Sequence, residues 1–159
     1  MRPVLDKSFF HVGVVVPRIE DALDHLTAAL GVRFGALTEV DTVVEDSSGR
    51  PTTVPLRMVY SAEPPYVEVI EEVAGTPWVC NPHSNLHHIG FWAEGLRASH
   101  DHLVASACPL EIGGAGEGPG PHAFAYHRDP LGVRIELVDA AMRPMIEASI
   151  AAGAPLGQA

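Results

Sequence analysis

FHVGVVVPRIEDALDHLTAALGV, from Phe10 to Val32, can be laid on HHIGFWAEGLRASHDHLVASACPL, from His87 to Leu110, so that His11 falls on His88 and Gly13 on Gly90. An internal repeat constrains architecture more firmly than local propensity does. Each copy reads as strand, helix and turn. Phe9 to Val16 is a β-branched run closed by Pro17, which cannot continue a central strand. Ile19, Leu23, Leu26 and Leu30 then recur at three- and four-residue intervals and predict a helix with one apolar stripe. Glu20, Asp21 and Asp24 meet the positive end of its dipole, and Gly31 stops it. In the second copy Leu96, Leu103, Val104 and Ala107 predict the matching stripe, with His100 and Asp101 on the wet side.

Working outward, PYVEVIEEVAG, from Pro65 to Gly75, resembles GVRIELVDAAM, from Gly132 to Met142, and places Glu68 on Glu136. Between helix and final strand each copy has room for two more strands, at about residues 33–44 and 54–60 in the first and 110–112 and 123–127 in the second. The prediction is an α+β chain of two tandem βαβββ modules, residues 9–73 and 86–139, in a single structural domain. Residues 140–159 add a short helix, about 142–151, and the frayed tail AAGAPLGQA. The turn-rich stretch 74–85 connects the modules, and GGAGEGPGP, residues 113–121, reads as a flexible loop.

Side chains alternate across a strand, so His11 shares a face with Gly13 and Val15, His88 with Gly90 and Trp92, Glu68 with Tyr66 and Ile70, and Glu136 with Arg134 and Val138. A carboxylate inside VEVI or RIEL is costly to bury, by several kcal/mol, unless a cation meets it. Taken singly, a strand histidine is more often a core residue than a ligand, and a strand glutamate is usually solvated. All four at repeat-equivalent positions point instead to convergence on a pseudo-twofold axis. Two neutral imidazoles and two carboxylates balance one divalent ion, and on an octahedral metal they leave positions open for water or substrate.

Six other histidines read differently. His25 and His100 lie on helices and read as solvated, while His87 alternates away from His88. His83, in the connection, is placed to cap a pocket, and His127 reads as structural. His122, at the exit of the glycine-rich loop, is a candidate proton carrier because imidazole titrates near neutral pH.

Composition sets the outer bounds. A chain of 159 residues, 47% apolar and 19% charged, buries roughly two-thirds of its unfolded surface without staples. Its net charge of −10, with no basic run, repels phosphate backbones and anionic lipid, so neither nucleic acid nor membrane is an expected partner. Asp6 and Lys7 interrupt an apolar leader and no run of about 18 apolar residues follows, so a cytoplasmic protein is the expectation. Cys80 and Cys108 form no CxxC pair and read as incidental thiols of a reducing compartment.

With these residues in view, the chain resembles the vicinal oxygen chelate superfamily, which includes glyoxalase I, methylmalonyl-CoA epimerase, extradiol dioxygenases and antibiotic-resistance proteins. FHVGVVV, PYVEVIE, LHHIGFW and HRDPLGVRIELVD carry the resemblance, from about Phe9 to Asp139. It implies a cup-shaped sheet around one divalent metal per chain, zinc, nickel, cobalt, manganese or iron, held by His11, Glu68, His88 and Glu136. Extradiol dioxygenases typically leave the position corresponding to Glu68 without a ligand, so the pattern is nearest the glyoxalase and epimerase branch. The helix ends LDHLTAALGV where glutathione-using glyoxalases commonly carry an aromatic pair. No Lys/Arg cluster presents itself for a coenzyme A phosphate, although Arg33, Arg57 and Arg97 would contribute if they converge.

The resemblance implies an isomerase, epimerase or lyase that removes a proton alpha to the carbonyl of a chelated small molecule, with Glu136 or Glu68 as base and His122 as the rival. An iron-dependent dioxygenase is the alternative, as is a drug-binding resistance protein that uses Trp78, Trp92, Tyr66 and Phe124 as stacking surfaces. Family members of this size commonly form homodimers, and apolar sheet edges would give a second copy something to cover.

Overall fold

The computed structural model describes residues 8–153, so the end of the tail lies outside the described residues. The fold is α+β, as the repeat predicts. The first module supplies β1 (Phe9–Val16), α1 (Ile19–Leu30), β2 (Thr38–Asp46), β3 (Pro51–Tyr60) and β4 (Tyr66–Glu71). The second supplies β5 (Leu86–Ala93), α2 (Leu96–Ala105), β6 (Leu110–Gly114), β7 (His122–Arg128) and β8 (Arg134–Asp139); a 3-10 turn, Ala140–Met142, then leads into α3 (Arg143–Ala151). β1 pairs parallel with β4 and β4 antiparallel with β3, while β5 pairs parallel with β8, and β8–β7, β7–β6 and β6–β2 pair antiparallel. Among the described residues no helix is long and apolar enough to cross a membrane.

Contacts group the chain into two compact units, each built from several segments. One takes β5 from His88, α2 and β6 to β8, together with Asp41–Val54; the other takes His11–Val40, Pro55–His87 and the chain from Pro144. In the second unit Ile19, Val16, Val59 and Val69 form a buried cluster against which Leu23, Leu26 and Val67 pack. Leu30, expected in the same stripe, is exposed because α1 ends there, Gly31 taking φ 67° and donating its N–H to the Thr27 carbonyl at 2.9 Å. The start of α1 is held from outside the helix: the Ile19 N–H donates to Glu71 Oε2 at 2.9 Å. Glu71 also accepts from Arg57 Nη1 at 2.7 Å, and the same guanidinium binds Glu20 and Glu39.

In the first unit α2 seats Leu96 and Leu103 against Ala93, Cys108, Ala125 and Leu137. Val104 is exposed, and Ala107 lies beyond the helix at φ 63°, so the real stripe is narrower than the sequence suggests. Glu111 accepts from Arg134 at 2.7 and 2.9 Å and from Arg128 at 3.1 Å. Burial pushes its carboxyl up, but the hydrogen bonds and charge of Arg134, and then of Arg128, outweigh burial and hold it at about 2.

The loop expected at 113–121 begins later than predicted, because Gly113 and Gly114 are buried strand residues of β6. They are glycines because β7 returns across them: a Cβ at Gly114 would lie 2.1 Å from the His122 carbonyl oxygen, and one at Gly113 2.7 Å from Pro121 Cβ. His100 is likewise not a solvated helix residue. Its Nδ1 lies 2.9 Å from Nε2 of the fully buried His127, so α2 and β7 are joined by an imidazole pair.

Candidate metal centre

β1 and β4 run parallel, with His11 opposite Tyr66 and Gly13 opposite Glu68. β5 and β8 repeat that register, with Gly90 opposite Glu136. Each module therefore brings a His-x-Gly strand beside a glutamate strand, and the glycine leaves the carboxylate's neighbour on that face without a side chain. Val67 and Val69 point to the other face and meet α1, which accounts for the alternation within YVEVIE.

Within one unit His11 Nε2 lies 3.4 Å from Glu68 Oε2; within the other His88 Nε2 lies 3.2 Å from Glu136 Oε2. All four residues are at most 5% exposed. A charge-assisted hydrogen bond between such groups closes to about 2.7–2.9 Å. Two donors that share one ion at about 2.1 Å stand about 3.0 Å apart at a right angle and about 3.4 Å apart at the tetrahedral angle. Both spacings fall in the second range, so each pair fits two neighbouring ligands better than a closed ion pair. His11, Glu68, His88 and Glu136 together make a group that could hold a metal ion, two nitrogens and two carboxylates being a hard-to-borderline donor set.

Two residues around these pairs are not evident from sequence patterning. Tyr60 stands opposite Glu68 in the antiparallel β3–β4 register, and Tyr126 stands opposite Glu136 in β7–β8. The Tyr60 ring meets the His11 ring edge-on at 5.4 Å and 70°, and Tyr126 meets His88 at 5.0 Å and 81°. Their signal was a tyrosine in the last residues of the third strand of each module, which becomes visible only once the strand registers are known.

His122 opens β7, and its ring lies over Gly116, where a Cβ would come 2.4 Å from His122 Cγ. Its Nε2 is buried and has no hydrogen-bond partner among the described residues. His87 binds the Pro77 carbonyl through Nε2 at 2.8 Å, and His25 and His83 are exposed. Of the four proposed stacking surfaces, Trp78 is buried and Trp92 stacks on Phe10 at 4.0 Å with Arg143 over its ring, while Phe124 packs edge-on against Tyr126. Each of the three arginines is engaged: Arg33 by Glu63, Arg57 by three carboxylates and Arg97 by Asp101. Both cysteines are free thiols, Cys108 buried and Cys80 half-buried.

Residues 10–126 match the Glyoxalase/Bleomycin resistance protein/Dioxygenase superfamily, and the chain belongs to that superfamily. Among solved structures, the methylmalonyl-CoA epimerase of Streptomyces coelicolor in complex with 2-nitronate-propionyl-CoA is 14% identical, with a TM-score of 0.58 over 84% of this chain and 97% of that one. The methylmalonyl-CoA epimerase of Mycobacterium tuberculosis is 18% identical, with a TM-score of 0.52 over 91% of this chain and 95% of that one. A hypothetical protein from Bacillus halodurans C-125 is 14% identical, with a TM-score of 0.55 over 82% and 92%. At these identities the likeness carries the fold. No curated protein matches the sequence.

Proposed function

We propose that the two His–Glu pairs together hold one divalent metal ion, and that the protein is an isomerase, epimerase or lyase acting alpha to a carbonyl of a small molecule. The observation that carries this reading is the equivalence of the pairs: the same His-x-Gly and glutamate register, the same burial and nearly the same ligand spacing in both modules. When bound, the ion supplies Lewis acidity to neighbouring oxygens of the substrate.

The chain's own part is to hold and move a proton. Glu136, buried in the middle of β8, takes the alpha proton on a carboxylate oxygen, and the parallel β5–β8 pair keeps that carboxylate beside His88. Glu68 is its repeat equivalent, and its place beside His11 favours this reading over ring cleavage by a dioxygenase, which leaves that position unused. The rival base is His122, whose buried Nε2 has no described partner.

The test is solvent-deuterium exchange at the carbon alpha to the carbonyl, followed by proton NMR. A 2-hydroxyketone, a ketoaldehyde and an acyl thioester are each supplied to protein loaded in turn with zinc, nickel, cobalt and manganese. Exchange that is lost in Glu136→Gln with metal retained, and kept in His122→Ala, supports the assignment. Exchange that survives Glu136→Gln but disappears in His122→Ala moves the base to His122. No exchange with any compound and any metal favours a binding protein.

A further inference from the structure

We propose that Tyr60 and Tyr126 are a repeated pair of positioning residues, each fixing the plane of one ligand imidazole through an edge-on ring contact. The inference deepens the metal reading above and rests on it only for the metal arm of its test. Tyr60 is cross-strand to Glu68 and its ring meets His11; Tyr126 is cross-strand to Glu136 and its ring meets His88. The two ring geometries differ by 0.4 Å and 11°, that is 5.4 against 5.0 Å and 70° against 81°. The chain has three tyrosines, and two of them occupy this one repeat position.

The physics gives the contact a purpose. A histidine on a strand has two freely chosen torsions, and a ligand nitrogen is useful only if the ring plane contains the direction of the ion. Edge-to-face packing at about 5 Å is the preferred arrangement of aromatic rings and resists rotation of either one. In the first module the register places His11 opposite Tyr66 and Glu68 opposite Tyr60, so the imidazole is flanked along β4 while its rotation is blocked from β3. In the second, Tyr126 is itself wedged by Phe124 at 5.8 Å, which keeps the stop rigid. The contact requires an aromatic ring and not its hydroxyl.

Cobalt(II) is the probe, because its visible absorption reports ligand geometry and not only occupancy. Tyr60→Phe and Tyr126→Phe are expected to keep cobalt affinity within about twofold and to leave the absorption bands in place. Tyr60→Leu, at the half-buried position where loss of fold is the smaller hazard, is expected to weaken cobalt binding by about 10- to 100-fold and to shift or broaden the bands. In metal-free protein the His11 ring C–H resonances should be sharp in the wild type and in Tyr60→Phe, and exchange-broadened in Tyr60→Leu. Unchanged affinity, bands and line widths in Tyr60→Leu would overturn the proposal, as would an equal loss in Tyr60→Phe. Wild-type protein that takes up no cobalt would defeat the metal reading, and the imidazole line widths would then decide the positioning role by themselves.

Discussion

Gly13 lies directly opposite Glu68 in the parallel register of β1 and β4, so β1 presents no side chain beside that carboxylate. Gly90 stands in the same relation to Glu136. Gly13→Val would place a β-branched side chain about 5 Å from the Glu68 backbone, on the face the carboxylate uses. Bound metal is expected to fall at least tenfold while the far-UV circular dichroism stays that of the wild type. Full metal content in Gly13→Val would show that the glycine is a matter of strand packing alone.

Glu71 closes the first turn of α1 from a neighbouring strand, since Arg18 offers no side-chain cap of its own. Glu71→Ala therefore removes a cap, together with one of the three carboxylates on Arg57. The expected loss is about 1–2 kcal/mol of stability, read as a lower urea midpoint with unchanged slope. A midpoint equal to that of the wild type would mean that water caps the helix as well as the carboxylate does.

The His100–His127 pair makes the fold acid-sensitive in a window above that of the carboxylates. Burial first, and then the neighbouring His100, hold the His127 imidazole at about 4; burial lowers His100 as well. An unfolded histidine titrates near pH 6.5. Below that pH the unfolded chain takes up protons that the folded chain refuses, so the contribution is complete above about pH 6.5 and is lost as pH falls toward 4. The slope is about 1.4 kcal/mol per pH unit for each such histidine. Urea midpoints at about pH 7 and about pH 5 should differ less in His127→Leu than in the wild type; equal differences would assign the acid sensitivity elsewhere.

Much of this was legible in the sequence because a repeat states each structural fact twice. His11 and His88, Gly13 and Gly90, and Glu68 and Glu136 could be matched before any coordinate was known, and the apolar alternation around them fixed which face they share. What the sequence did not reveal depended on chain reversals. Gly113 and Gly114 read as loop because nothing local shows that Pro121 and His122 return across them. His100 read as wet because its partner, His127, is 27 residues away on a strand. Tyr60 and Tyr126 were hidden by β-hairpins of different length, which place them eight and ten residues before their glutamates.

The central claim is that both His–Glu pairs serve one ion, and metal stoichiometry by elemental analysis after dialysis tests it most directly. The account predicts one equivalent of divalent metal per chain in the wild type, and its near-complete loss in His11→Ala and, separately, in His88→Ala, because each variant removes a ligand from the same ion. Two equivalents per chain, or a His11→Ala protein that keeps its full metal content while His88→Ala loses it, would contradict a shared centre.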